Sequence, residues 1–323
     1  LKRLSKFLQI FLPLALGIFL IWYFYSKFSE EQWNEMVRQF QKADYFMVVL
    51  SVVMSMVSHL VRAHRWGLML QPLGYQPGMV NKFLAVSVAY LMNLFIPKSG
   101  EVSRAVVLKK YEAVPFEKGF GTIISERIVD LVFLMLFTAV AVILEFQQLF
   151  DYVNGLIPFQ KLVWLLVFAM GLLFAVFLYL KKSTGKISSK IKDFVKGLKE
   201  GVFSIFKMNK KGAFIFQSFI IWGLYILSFY TATQALDETS QIGFGITIIT
   251  FVVGSFTFAF TNSGVGYYPL AIAGILFIFG IPETTGSALG WIVWTSNIIY
   301  IIISGVLAFL ILPVWNKKRI AHS

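Results

Sequence analysis

Apolar residues run along this chain in membrane-length blocks, with polar residues gathered between the blocks. Six stretches are long enough to cross the ~30 Å hydrocarbon layer of a bilayer as helices. They are 7–27, 44–62, 120–146, 161–181, 213–236 and 286–312. Lipid offers backbone N–H and C=O groups no partner, so such runs satisfy those groups internally as α-helices. The short alternating segments of a membrane β-barrel are absent. Two further apolar stretches are irregular. One, 83–97, is too short to span and ends at Pro97; the other, 242–281, is broken at Asn262-Ser263-Gly264-Val265-Gly266. The pattern predicts an all-α polytopic membrane protein with about six full crossings and two re-entrant or broken helices.

The polar intervals orient the spans, because Lys and Arg in short loops mark the cytoplasmic side. The basic start, Lys2-Arg3-Lys6, is read as cytoplasmic. The run after it is too long for a signal-peptide core and has no small-residue cleavage site, so it is read as the first span. Stretch 28–43 carries Glu30, Glu31 and Glu35 and fits the outside. Stretch 62–82, with Arg62, Arg65 and Lys82, reads as inside, as does 98–118, with Lys98, Arg104, Lys109, Lys110 and Lys118. Both ends of 83–97 are then cytoplasmic, which makes it a re-entrant hairpin. Stretch 147–160 has no Lys or Arg and reads as outside, whereas 181–211 has ten lysines and reads as inside. Stretch 242–281 begins and ends outside, as a second hairpin or as two crossings. With two hairpins from opposite faces, the layout is that of an inverted repeat with discontinuous helices meeting near the midplane. The halves are 1–181 and 213–323, joined by a linker at 182–212, and both termini are cytoplasmic. Within the linker, Ile187, Ile191, Phe194, Leu198, Val202 and Ile205 recur at helical spacing among lysines, as in an interfacial amphipathic helix; a solvated basic loop is the plainer alternative.

Composition narrows the chemistry. Hydrophobic residues make up 58% of the 323 and charged residues 14%, with a formal net charge of +13. Since the positive charge lies between apolar spans, anionic lipid is the expected partner and nucleic acid is not. There are no cysteines and only three histidines. No metal-ligand spacing, cofactor motif or catalytic constellation is evident, so neither a cofactor nor an enzymatic activity is expected.

Four polar motifs interrupt the apolar sequence. Arg62-Ala63-His64-Arg65-Trp66 closes the second run, and its three- and four-residue spacings put Arg62, Arg65 and Trp66 on one helical face. Two guanidiniums beside an indole can grip a phosphate; a positive-inside anchor is the plainer reading. Asn93 to Ala105 breaks the first irregular stretch at Pro97 and Gly100 and brings Glu101 and Arg104 close together, either as an anion site or as a local ion pair. Glu126-Arg127-Ile128-Val129-Asp130 opens the span at 120–146. Each charge in a membrane helix costs about 2.5–3.5 kcal/mol even on permissive scales, so these residues suggest a cavity or a structural pair such as Arg127 with Asp130. The glycines Gly264 and Gly266, next to Asn262, suit the unwound tip of a broken helix where backbone approaches a ligand. Arg62, Arg104, Glu126, Arg127 and Asp130 are expected to converge, since isolated charges there are too costly.

At these motifs the chain resembles the lysylphosphatidylglycerol synthase transmembrane-region family. The resemblance rests on R-A-x-R-W at Arg62–Trp66, N-x-x-x-P-x-x-G-E-x-x-R-A at Asn93–Ala105, and E-R-x-x-D at Glu126–Asp130, and it extends over nearly the whole chain. The family includes the flippase half of multiple-peptide-resistance proteins and many stand-alone membrane proteins. Where the family often has P-G-G-x-G-x-x-E in the second broken helix, this sequence has Asn262 to Pro269 without the acidic residue. No soluble aminoacyl-transfer domain follows, so synthesis of lysyl-lipid is not expected.

The resemblance implies a lipid translocase of the cytoplasmic membrane, flippase-like, moving an anionic or zwitterionic phospholipid or lipid-linked headgroup, as a monomer or homo-oligomer. Its expected binding residues are Arg62, Arg65, Trp66, Asn93, Glu101, Arg104, Glu126, Arg127, Asp130, Asn262, Gly264 and Gly266. The competing class is a membrane enzyme acting on a lipid-linked sugar or lipid phosphate.

Overall fold

A computed structural model describes residues 28–156 and 208–317 except positions 209 and 262, together with Trp22 and Ser26. Apart from those two residues, the expected spans at 7–27 and 161–181 lie outside the described residues, as does the amphipathic linker except its last few positions. Among the described residues every regular element is helical. In chain order the α-helices are α1 (Glu30–Lys42), α2 (Tyr45–Leu70), α3 (Met79–Phe95), α4 (Ser99–Glu112), α5 (Phe116–Leu144), α6 (Phe146–Leu156), α7 (Lys211–Thr233), a single turn α8 (Asp237–Ser240), α9 (Phe244–Phe260), α10 (Tyr267–Ile278) and α11 (Glu283–Trp315), with a 3-10 turn at Gln71–Leu73 after α2.

Four of these, α2, α5, α7 and α11, are long and apolar enough to cross a membrane. They are the expected runs at 44–62, 120–146, 213–236 and 286–312 with shifted ends. The largest shift is in α2, which continues through Arg62 and Arg65 to Leu70. Those arginines are therefore not loop charges, and Lys82 lies buried inside α3. Residues 62–82 lose all the charge on which their orientation was reckoned.

The two halves repeat one order: long helix, hairpin of two short helices, long helix. At 17, 14, 17 and 12 residues, α3, α4, α9 and α10 each fall short of ~30 Å at about 1.5 Å per residue. The first hairpin is larger than 83–97. Residues 98–112, expected as a cytoplasmic loop, form its tip and return arm α4. The arms lie antiparallel: at the open end Glu112 Oε1 accepts from Gly78 N at 2.9 Å and Asn81 Nδ2 at 2.6 Å. At the tip Ser99 Oγ donates to the Met92 and Ile96 carbonyls, and Gly100 N donates to Asn93 Oδ1 at 2.7 Å. Gly100 is required there, since a Cβ would overlap the Ala89 carbonyl and the Asn93 amide.

The hairpins enter from opposite ends. At one end lie the C-termini of α2, α4 and α11 and the N-termini of α3, α5 and α7. There Tyr75 N donates to Leu70 O, and the side-chain amides of Asn81 and Asn316 exchange two hydrogen bonds of 2.8 Å. At the other end Asp44 N donates to Ala235 O at 2.8 Å, Gln39 Nε2 donates to Glu238 Oε1 at 2.8 Å, and Gly245 sits against the Glu145 carboxylate. The tips meet between these ends: Lys98 Nζ donates to Ala259 O at 2.9 Å and Ser263 Oγ to Asn93 O at 3.2 Å.

The packing is that of a membrane helix assembly, with small and polar residues inside. The buried face of α2 carries Ser51, Ser55, Ser58, His59, Arg62 and Arg65, while Phe46, Val49, Val53 and Leu60 are exposed among the described residues. Ser55 and Ser228 share a 3.0 Å hydrogen bond, joining α2 to α7. Between α10 and α11 the backbones approach at Gly286 and Gly290, four apart, whose added Cβ atoms would lie 2.8 Å from Ala273 Cα and 2.6 Å from Pro269 Cα.

Candidate functional site

Beside the meeting tips is a cavity of about 480 Å³. Its apolar wall includes Leu131, Leu134, Trp222, Phe251 and Phe258, and its polar wall includes His59, Arg62, Tyr90, Asn93, Lys98, Glu101, Arg127, Asp130 and Tyr225. These residues come from α2, α3, α4, α5, α7 and α9, with Lys98 from the first tip, so no single motif forms the site.

Behind the polar wall is a buried ion network. Asp130 and Glu126, four apart on α5, present their carboxylates on one face of the helix. Arg62 Nη1 donates to Glu126 Oε1 at 2.7 Å and to Asp130 Oδ2 at 2.8 Å. Arg65 Nη2 reaches Asp130 Oδ1 at 2.8 Å and Glu126 Oε1 at 3.3 Å, while its Nη1 donates to Ser218 Oγ. Arg104, from α4, donates to Glu126 Oε2 at 2.9 Å and lies 3.8 Å over the Trp66 ring. All four carboxylate oxygens therefore accept from guanidiniums. In a water-poor interior each charge needs such partners, because removing one leaves the other uncompensated.

Arg127 stands apart. The sequence admits a pair with Asp130 on the same helix, but Arg127 faces Glu101 across the cavity wall, Nε to Oε1 at 3.1 Å. The Glu101–Arg104 alternative fails for the same reason, since each partner is engaged by α5. The neighbouring Arg62 Nε donates to Tyr225 Oη at 3.3 Å, with Tyr90 Oη 3.5 Å beyond. His59 stacks on Tyr90 with ring centroids 4.2 Å apart and shares a 3.0 Å hydrogen bond with Tyr300.

Of the twelve residues expected to bind ligand, Arg62, Asn93, Glu101, Arg127 and Asp130 line the cavity. Arg65, Arg104 and Glu126 lie behind it in the network. Trp66 is fully buried, donates from Nε1 to Thr122 Oγ1 at 2.9 Å and packs under Arg104, so it does not mark a headgroup level. Asn93 caps the start of α4 with its side chain. Gly264 and Gly266 adopt positive φ of 74° and 73° and shape the second tip, where Gly264 N donates to Thr261 Oγ1 at 3.0 Å. Asn262 lies outside the described residues. Among the cavity residues the sequence reading had not selected are His59, Lys98, Tyr90 and Tyr225. Lys98 stood in a quoted motif, but nothing separates these tyrosines from the many others in apolar sequence.

The sequence profile described as the lysylphosphatidylglycerol synthase TM region matches residues 10–305. A UPF0104 membrane protein of Methanocaldococcus jannaschii is 28% identical over 154 residues, covering 46% of this chain and 44% of that protein. A UPF0104 membrane protein of Pyrococcus horikoshii is 21% identical over 252 residues, covering 70% of this chain and 73% of the relative. No solved structure matches.

Proposed function

The chain belongs to the lysylphosphatidylglycerol synthase transmembrane-region family, and from that premise we propose that it is a lipid translocase, passing the headgroup of an anionic or zwitterionic phospholipid through the cavity between its two hairpins. The observation that carries this reading is a mixed-charge cavity at the meeting point of two half-membrane hairpins. Irregular backbone at membrane depth is tolerated where it lines a cavity, and paired discontinuous helices of this kind hold substrate in transporters. The cavity volume of about 480 Å³ suits a headgroup. On the cavity wall Arg62, Arg127 and Lys98 stand against Glu101 and Asp130, with Arg65, Arg104 and Glu126 behind them, so the balance favours an anion. An enzymatic role gains no support from Glu126 and Asp130, whose oxygens are occupied by arginines rather than poised as acid and base.

The reading includes a sidedness. The end where α3 and α4 open exposes Lys109, Lys110, Lys118, Lys210, Lys211 and Lys317, and the opposite end exposes Glu30, Glu31, Asp237 and Glu238. By the positive-inside rule the first end is cytoplasmic. The chain has no cysteines, so single substitutions report position directly. In cells, Gln76→Cys and Ala113→Cys should resist a membrane-impermeant maleimide while Asp237→Cys reacts. Labelling of Gln76→Cys and Ala113→Cys from different sides would remove the first hairpin.

Reconstitution into vesicles carrying fluorescent phospholipids tests the activity. Movement between leaflets is expected for the parent, with no new lipid product by mass spectrometry, and is expected to be lost in Asp130→Asn. Conversion of lipid without movement would favour the membrane-enzyme class.

A further inference from the structure

The four arginines of the cavity wall and of the network behind it are not equivalent. The side chains of Arg62, Arg65 and Arg104 are 4%, 0% and 3% exposed, whereas that of Arg127 is 40% exposed. The first three are tied by aligned hydrogen bonds to Glu126 and Asp130. Among the described residues Arg127 pairs only with Glu101, an ion pair without hydrogen-bond alignment: its Nε and the buried Glu101 Oε2 have no hydrogen-bond partner there, and although Arg65 Nε and Arg104 Nε are also unpartnered, those two residues are held through their Nη groups. It is the weakest link among the charges, it faces the cavity, and it joins the re-entrant arm α4 to the long helix α5.

We propose that Arg127 is the residue that takes the lipid phosphate, and that Glu101 is the internal anion which this phosphate displaces. Loading is then an exchange of one anion for another at a single guanidinium. A guanidinium pairs bidentately with phosphate through two N–H groups, and Glu101 presents one oxygen to one nitrogen, out of line. The phosphate is the better ligand by geometry, and Glu101 lowers its affinity by competing for Arg127. The exchange also releases α4 from α5 at its tip. This inference rests on the translocase reading for the lipid, but the shared chemistry is the phosphate group, which a lipid headgroup or free phosphate can supply.

The exchange predicts that removing an acidic residue from the site strengthens binding rather than weakening it. Full-length protein in nanodiscs of phosphatidylcholine would be titrated with fluorescent phosphatidylglycerol, with diacylglycerol of the same tails, and separately with inorganic phosphate. Glu101→Gln is expected to bind phosphatidylglycerol about tenfold more tightly than the parent, the scale of one charge-assisted hydrogen bond, and Glu101→Asp to fall between them. Arg127→Gln is expected to lose the phosphate-dependent part, and diacylglycerol to respond to none of the variants. Response to inorganic phosphate in the same order, with no lipid movement in vesicles, would uphold the exchange and reject the translocase reading. Unchanged or weaker phosphate binding in both Glu101 variants would overturn the exchange even if lipid movement persisted. So would absence of phosphate binding in every form. A variant that fails to fold shows itself in its melting curve, and the other Glu101 substitution then decides.

Discussion

Glu126→Gln is expected to destabilise the purified protein by about 3–5 kcal/mol, the cost of breaking a buried charge pair, and to abolish lipid movement with it. Glu126 is fully buried and its two oxygens hold Arg62, Arg65 and Arg104. An amide keeps the shape but removes the charge and turns one acceptor into a donor facing guanidinium N–H groups. Asp130 then remains as the sole carboxylate among three arginines from α2 and α4, and one of the two ion pairs between the first hairpin and α5, Arg104 with Glu126, is lost. Thermal melting followed by tryptophan fluorescence in detergent reads the effect. A Gln variant that melts with the parent would mean that the network is solvated in the folded protein, contrary to its burial. Asp130→Asn is expected to be milder in stability, because Asp130 engages two guanidiniums and borders the cavity.

The second large effect is expected at Gly290. Its Cβ would meet the Pro269 Cα at 2.6 Å, and backbone cannot yield as a side chain does. Overpacking of this kind costs typically about 1–3 kcal/mol, and Gly290→Leu is expected to exceed that range by prising α11 from α10. Gly223, in the middle of α7, has nothing within 4 Å of its Cβ position. Gly223→Ala is therefore expected to stabilise by up to about 1 kcal/mol through helix propensity. The pair has opposite signs, so a common loss of stability in both would show that the close approach is not the cause.

The long spans were legible because lipid imposes length and apolarity on them together. The second tip was legible from Asn262, Ser263, Gly264 and Gly266 inside apolar sequence; the first was not, since the polar stretch after Pro97 read as the cytoplasmic mouth of a hairpin confined to 83–97, whereas it is the tip between α3 and α4. The return arm α4 was not legible either: Ser99–Glu112 buries Glu101 and Arg104 against α5 and ends in the exposed Lys109 and Lys110, so by charge it reads as a loop. Arg62 and Arg65 misled in the same way, since a charge count along the chain cannot tell a loop arginine from one neutralised by a carboxylate 64 positions later. That the charges would gather followed from their cost in lipid, but their partners did not. Local spacing allowed Arg127 with Asp130 and Glu101 with Arg104; the hairpin geometry exchanged them. The glycines at 286 and 290 had the spacing of a close helix contact, but the surrounding run showed only apolarity.

The inverted polarity of α2 has a consequence for synthesis. Arg62 and Arg65 emerge from the ribosome 64 and 61 residues ahead of Glu126, and at about 5–20 residues per second the interval is roughly 3–13 s. During it the last turns of α2 carry two cations with no counter-charge. They lie near the helix end, within reach of the interface, where long side chains can rest with their charges in water. α2 is expected to settle to its full depth once α5 brings Glu126 and Asp130. A stalled nascent chain ending before residue 116 should therefore hold α2 displaced toward the basic end, an outcome that charge rather than hydrophobicity would set.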